Sequence, residues 1–167
     1  VAGHNWKELN YDDSSWPTMT GPIASSSNTP LPSYNHTWDG DYNSYDLRRK
    51  FTMENTIPEL SKVYFRTLFD DEIRVFLNGN LLIEDTQYTG STVRQYEIPA
   101  DAFVVGENIL SIRIVEVVAE SYFDYSIEYE QLPNPYTDAQ GVKYQLSAED
   151  NTAIIIGHVA SMSKDLT

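Results

Sequence analysis

Short segments rich in β-branched and aromatic residues recur between residues 47 and 129, and turn formers separate them. Their spacing, roughly 8–12 residues, is typical of sandwiches and jelly rolls. No window of about a dozen residues repeats its apolar side chains with the 3.6-residue period of an amphipathic helix. The pattern therefore predicts an all-β fold, a jelly-roll β-sandwich. The predicted strands are 47–53, 62–68, 73–77, 81–84, 93–98, 109–118 and 122–129.

Two of these segments carry a specific local signal. Asn78-Gly79 separates two apolar runs, and this pair accepts the positive φ angles of a type I′ hairpin turn. In residues 122–129 every second side chain is apolar, which predicts a strand with one buried and one solvated face. Residues 99–103 predict a single short helical turn.

Proline and glycine predict where the regular structure stops. Residues 21–33 combine Pro, Gly and Ser without periodicity, and we predict a long surface loop there. Pro133 and Pro135 end the last strand of the sandwich. Beyond them, 141–146 and 152–157 predict a short C-terminal β-hairpin. We therefore predict a sandwich domain over residues 1–132 and a linker with a hairpin over 133–167.

The charge balance excludes one class of partner. The chain has 11 Lys and Arg against 25 Asp and Glu, a formal net charge of −14, which repels phosphate backbones. We expect no nucleic-acid partner. No run of eighteen apolar residues occurs, so we expect no membrane span in this chain. Without cysteine the chain has no disulfide and no thiolate chemistry.

The sequence offers few groups for catalysis, and we predict that the protein is not an enzyme. Asp12 and Asp13 are adjacent, so they cannot flank a glycosidic bond at the separation that hydrolysis needs. We expect them to cap a turn while Trp16 packs on the sandwich. The histidines, His4, His36 and His158, lack the spacing of a zinc site.

Aromatic and polar side chains concentrate between residues 34 and 43. Sugars present apolar C–H faces surrounded by hydroxyls, which suit aromatic rings beside carboxylates and amides. The alternative is that some rings cover the edge of the sandwich. The predicted ligand-binding residues are Tyr34, His36, Trp38, Asp39 and Tyr42.

The same segment places oxygen ligands at alternate positions. Asp39, Asp41 and Asn43 resemble the first half of a calcium loop, and a solvated turn is the alternative. Lys50 stands at the closing position, so the segment is not an EF-hand. A structural Ca²⁺ is the one cofactor that the sequence suggests, and none is required. Residues 70–72 read as a polar turn between strands rather than a cation site.

Several motifs, in order, resemble the galactose-binding-like jelly roll that serves as the sugar-binding domain of glycoside hydrolase family 2. The resemblance covers about residues 2–132 and implies the fold, without specifying a ligand. The motifs are Trp6 with YDDSSW (11–16), YDLRRKF (45–51), KVYFR (62–66) with VFLNG (75–79), and GENILSI (106–112).

Residues 141–157, with the Asp-Leu-Thr end, resemble the opening of cell-surface leucine-rich repeat modules of anaerobic bacteria. This implies a larger exported protein at the bacterial surface or outside the cell. The leading hypothesis is a non-catalytic carbohydrate-binding module whose partner is a glycan or a host or cell-surface glycoprotein. The alternative is a structural or protein–protein interaction domain of the adhesin type that binds no sugar.

Overall fold

The computed structural model describes residues 5–24, 31, 33–37, 44–58, 61–87, 91–117, 122–131, 152–156 and 162–166. Within these residues the chain forms strands, one 3-10 turn at Ala100–Ala102 and no α-helix. None of the described elements is a helix long and apolar enough to cross a membrane. In chain order the strands are β1 (Thr18–Met19), β2 (Ile23–Ala24), β3 (His36–Thr37), β4 (Ser44–Met53), β5 (Ser61–Phe69), β6 (Glu72–Leu77), β7 (Asn80–Asp85), β8 (Arg94–Ile98), β9 (Gly106–Val115), β10 (Tyr122–Gln131), β11 (Thr152–Ile156) and β12 (Met162–Leu166).

The strands form two sheets. Sheet A has the order β1-β12-β4-β9-β6-β7, and sheet B has the order β3-β2-β10-β5-β8, with β11 also paired to β10. Neighbouring strands are antiparallel except β2 and β3, which run parallel. The predicted all-β sandwich is therefore confirmed, while its jelly-roll connectivity stays a prediction.

The core lies between the sheets and follows the period-2 alternation of the strands. Successive side chains of a strand point to opposite faces, so the odd-numbered residues of β5 and β10 enter the core. Buried members of this core from both sheets include Tyr45, Leu47, Phe65, Val75, Leu110, Ile112, Ile114, Phe123, Tyr125 and Ile127. Burying one such side chain stabilises the fold by about 1.5–3 kcal/mol relative to leaving it exposed.

The predicted hairpin is present between β6 and β7. Leu77 pairs with Asn80, leaving the two-residue loop Asn78-Gly79 with φ angles of 52° and 84°. The Asn78 side chain also receives a hydrogen bond of 3.0 Å from Ile109 N and donates one of 2.9 Å to Asn108 Oδ1. The turn is thereby fixed to the start of β9. The predicted short turn at residues 99–103 is also present.

The predicted loop at residues 21–33 is corrected in part. Ile23 and Ala24 form β2, are buried, and pair with Phe123 and Tyr122 of β10. The strand has only two residues, so it shows no alternation that a sequence pattern could reveal. Of the rest of this segment, residues 25–30 and 32 lie outside the described residues.

Two strands of the last 35 residues pair with strands of the sandwich. β11 lies beside β10 opposite Ile127–Glu130, and β12 lies between β1 and β4. β12 runs antiparallel to β4, with Lys164 opposite Leu47. The predicted strand at 141–146 lies outside the described residues. The division of the chain after residue 132 stays a prediction.

Candidate functional site

The predicted ligand-binding segment is described only at its beginning. Tyr34 precedes β3, and 37% of its surface is exposed. His36 lies in β3 at the edge of sheet B, with its backbone opposite Ile23. The other predicted residues lie outside the described part of the chain, namely Trp38, Asp39, Asp41, Tyr42 and Asn43.

The backbone around Tyr34 is held in place. Asn35 donates its backbone N–H to Pro22 O at 2.8 Å, and its side-chain Nδ2 donates to Gly21 O at 2.7 Å. Three residues earlier in the segment, Leu31 packs on an apolar cluster of Ala24, Leu68 and Tyr122. An exposed ring on an anchored backbone can stack on a ligand without a large loss of backbone entropy on binding.

The acidic pair near the N-terminus has structural roles. Asp12 accepts a hydrogen bond of 3.0 Å from Ser14 N. The side chain of Ser14 and this backbone N–H together lower the pKa of the exposed Asp12 carboxyl. Asp13 instead reaches Arg48 of β4, with Nε donating to Oδ2 at 2.9 Å. The two carboxylates therefore act separately, one on its own turn and one across the fold.

Arg48 fastens the N-terminal segment to the outer face of sheet A. Its side chain has no exposed surface, and its guanidinium also donates to Glu8 O at 3.0 and 3.1 Å. The Tyr11 ring lies 5.0 Å from the guanidinium carbon. The sequence gives no sign of this role, since the partners are some 35 residues away from Arg48 along the chain.

The aromatic residues near the start of the chain pack on one another and on sheet A. Trp16 is buried, and its ring centroid lies 5.7 Å from Tyr11 and 6.5 Å from Trp6. Trp6 in turn meets Phe76 of β6 edge-to-face at 6.0 Å, while Arg113 of β9 lies 5.5 Å from its ring. These rings cover sheet A, as the sequence predicts for Trp16.

A second polar cluster joins the edge strands of the two sheets. Asp85 of β7 accepts hydrogen bonds from Tyr96 Oη at 2.6 Å and from Arg94 of β8 at 2.5 Å. Arg94 also donates to Gln87 O. Burial and the hydrogen bond to Asp85 raise the pKa of Tyr96 to about 12. Burial favours the neutral form of Asp85, but its hydrogen bonds from Tyr96, Gln87 and Arg94 outweigh that effect and lower its pKa.

The outer face of sheet B carries an ordered set of polar side chains around one ring. Since Val63 and Phe65 enter the core, their even-numbered neighbours on β5 point outward. We call this surface the Tyr64 face. Its members are Lys62, Tyr64 and Arg66 of β5, Gln95 and Glu97 of β8, and Ser126 and Glu128 of β10.

Carboxylates near residue 70 form a turn rather than a metal cluster. Asp71 donates its backbone N–H to Val115 O at 3.1 Å, and its Oδ2 accepts from Val117 N at 2.6 Å. Across the described ranges, no group of three or more His, Asp or Glu could hold a metal ion. The calcium prediction concerns residues outside these ranges and stays a prediction.

Similar solved structures are glycosidase chains. A glycoside hydrolase family 2 member from Bacteroides cellulosilyticus has 10% identity and a TM-score of 0.48, over 99% of this chain and 29% of its own. A β-glucuronidase from glycoside hydrolase family 2 has 11% identity and a TM-score of 0.47, over 100% of this chain and 24% of its own. A Bifidobacterium dentium β-glucuronidase has 20% identity and a TM-score of 0.38, over 60% of this chain and 19% of its own.

This chain spans less than a third of the length of each of these three glycosidases. The activities in their names therefore describe those proteins. Two of them come from the family that the sequence motifs resemble, and none of the three is described as a leucine-rich repeat protein. No protein-family model matches the chain, and the comparison with curated proteins gives no match.

Proposed function

We propose that this chain is a non-catalytic carbohydrate-binding module of an exported bacterial surface protein. The observation that carries the proposal is the exposed Tyr34 ring on a backbone anchored by Asn35. Trp38, Asp39 and Tyr42 follow it within eight residues in the sequence. An aromatic face beside carboxylate and amide groups is the chemistry that a sugar ring requires.

The structural roles of three carboxylates support a non-catalytic function. Asp13 neutralises a buried arginine, Asp85 joins two edge strands, and Asp46 accepts two hydrogen bonds from Arg113. Hydrolysis of a glycosidic bond needs two carboxyl groups facing one substrate. These three carboxylates serve the fold instead. The proposed export rests on the resemblance of the residues after 141 to bacterial cell-surface modules.

Retention on immobilised polysaccharides tests the proposal. Affinity gel electrophoresis would compare the wild type with Tyr34→Ala and Trp38→Ala on galactomannan, xyloglucan and mixed-linkage β-glucan. We expect the wild type to be retarded on at least one gel, and both variants to be retarded less, with an unchanged melting temperature. Each gel is run with Ca²⁺ and with a chelator, because the predicted calcium loop shares this segment.

Leu81→Ala is the matched control, since Leu81 is an exposed apolar residue on β7 of the opposite sheet. It should migrate like the wild type. A wild type that is retarded by no polysaccharide would favour the alternative, a structural or protein–protein interaction domain. A large fall in the melting temperature of Trp38→Ala would assign that ring to covering the sandwich edge.

A further inference from the structure

The Tyr64 face is ordered by hydrogen bonds between three strands. Arg66 Nε donates to Gln95 Oε1 at 2.8 Å, and its Nη1 lies 3.1 Å from Glu128 Oε2. Ser126 Oγ donates to Glu128 Oε1 at 2.9 Å. One arginine therefore links β8, β5 and β10. Its side chain nevertheless stays 44% exposed.

Tyr64 lies at the centre of this arrangement. Across the sheet it stands between Glu128 of β10 and Glu97 of β8. Along its own strand it stands between Lys62 and Arg66, two residues away on either side. Tyr64 is half-buried, and the polar side chains around it pair with one another. A flat ring surrounded by fixed donors and acceptors suits the C–H face and the hydroxyls of a sugar.

The charges of the Tyr64 face select a neutral ligand. Both of its cations are paired, Lys62 with Glu97 at 3.3 Å and Arg66 with Glu128 at 3.1 Å. A polyanion would find no unpaired cation on this face and would meet a chain of net charge −14. A neutral hydroxyl can share these groups, because it donates and accepts hydrogen bonds without adding charge.

We infer that the Tyr64 face is a second carbohydrate-contact surface, which takes a neutral oligosaccharide lying across β10, β5 and β8. This inference rests on the proposed function and extends it to a sheet face. The site is distinct from the Tyr34 segment. β3 and β5 are separated by β2 and β10 in sheet B, a lateral distance of about 14 Å at the usual strand spacing.

Affinity gel electrophoresis on the same three neutral polysaccharides tests this inference, with polygalacturonate as the anionic comparison. Tyr64→Ala should weaken retention by about two- to twelvefold, since an aromatic contact contributes about 0.5–1.5 kcal/mol beyond area burial. Tyr64→Leu should weaken retention to a similar extent, because it keeps an apolar side chain on β5 but removes the aromatic ring. Leu81→Ala is again the control.

The outcomes separate the two proposals. If the wild type is retained and both Tyr64 variants bind as tightly as Leu81→Ala, the Tyr64 face is not a binding surface, and the proposed function stands on the Tyr34 segment alone. If the wild type is retained by none of the neutral polysaccharides, both proposals fall. Stronger retention on polygalacturonate would overturn the neutral-ligand assignment. Circular dichroism melting of each variant shows whether a loss of retention comes from unfolding. If Tyr64→Ala is unfolded, the retention of Tyr64→Leu tests the inference.

Discussion

Arg48 and Asp13 form an ion pair that joins the N-terminal segment to β4 over 2.9 Å. The arginine side chain is fully buried and the carboxylate is 18% exposed. A buried guanidinium is costly unless acceptors surround it. Here they are one carboxylate and the backbone carbonyls of the segment from Glu8 to Tyr11. The YDDSSW motif thus helps to cover sheet A.

Asp13→Ala should destabilise the fold by about 3 kcal/mol, because it leaves the buried Arg48 without its counter-charge. The measurement is the urea unfolding midpoint. Asp12→Ala is the matched control on the neighbouring residue, whose exposed carboxylate caps the turn at Ser14. It should cost less than about 1 kcal/mol. Equal losses for the two variants would contradict the assignment of Asp13 to Arg48.

Gly79→Val should destabilise the β6–β7 hairpin by about 1–3 kcal/mol. The φ angle of Gly79 is 84°, a region that a β-branched residue resists. An added Cβ would meet its first neighbour, Glu8 Cγ, at 3.6 Å, so backbone strain and not crowding accounts for the cost. Gly79→Asn should lose less stability than Gly79→Val, since asparagine tolerates positive φ. Thermal melting of both variants checks this, and equal melting temperatures would show that the turn is misassigned.

Alkaline pH should weaken the fold, starting near pH 10. The pKa of Tyr96 rises from 10.0 to about 12 in the folded chain, so the unfolded chain loses its proton first. The stabilisation is present below pH 10 and is lost as the pH rises towards 12. Burial also raises the pKa of Tyr125. Tyr96→Phe should therefore reduce the slope of stability against pH in this window without abolishing it. An unchanged slope would contradict the raised pKa of Tyr96 in the folded chain.

Removing the residues after 132 tests the predicted division of the chain. A separate module would leave the melting temperature of the sandwich unchanged. Because β12 pairs with both β1 and β4, we expect the shortened chain to melt at a lower temperature. Limited proteolysis with mass spectrometry provides the second readout. A protected, cooperatively melting fragment that ends near residue 132 would support the predicted boundary.

Sequence reasoning found the long strands because alternation is visible over six or more residues, as in β10. It found the β6–β7 hairpin because Asn-Gly is a specific signal for a two-residue turn. It missed β1, β2 and β3, which have two residues each, and β12, whose Ser163, Lys164 and Asp165 interrupt any apolar pattern. It could not predict the ion pair of Arg48 with Asp13 or the polar arrangement of the Tyr64 face either. Those arrangements arise from pairing between distant strands, which local patterns do not encode.

The most direct test of the central claim is a glycan array probed with the wild-type chain. Every glycan that the chain binds is then incubated with it, and the reducing ends are measured. A non-catalytic carbohydrate-binding module should bind at least one neutral glycan, and the reducing ends should not increase over a buffer control. Tyr34→Ala should bind that glycan more weakly. Binding to no glycan would contradict the claim of carbohydrate recognition, and a time-dependent release of reducing ends would contradict the claim that the module is non-catalytic.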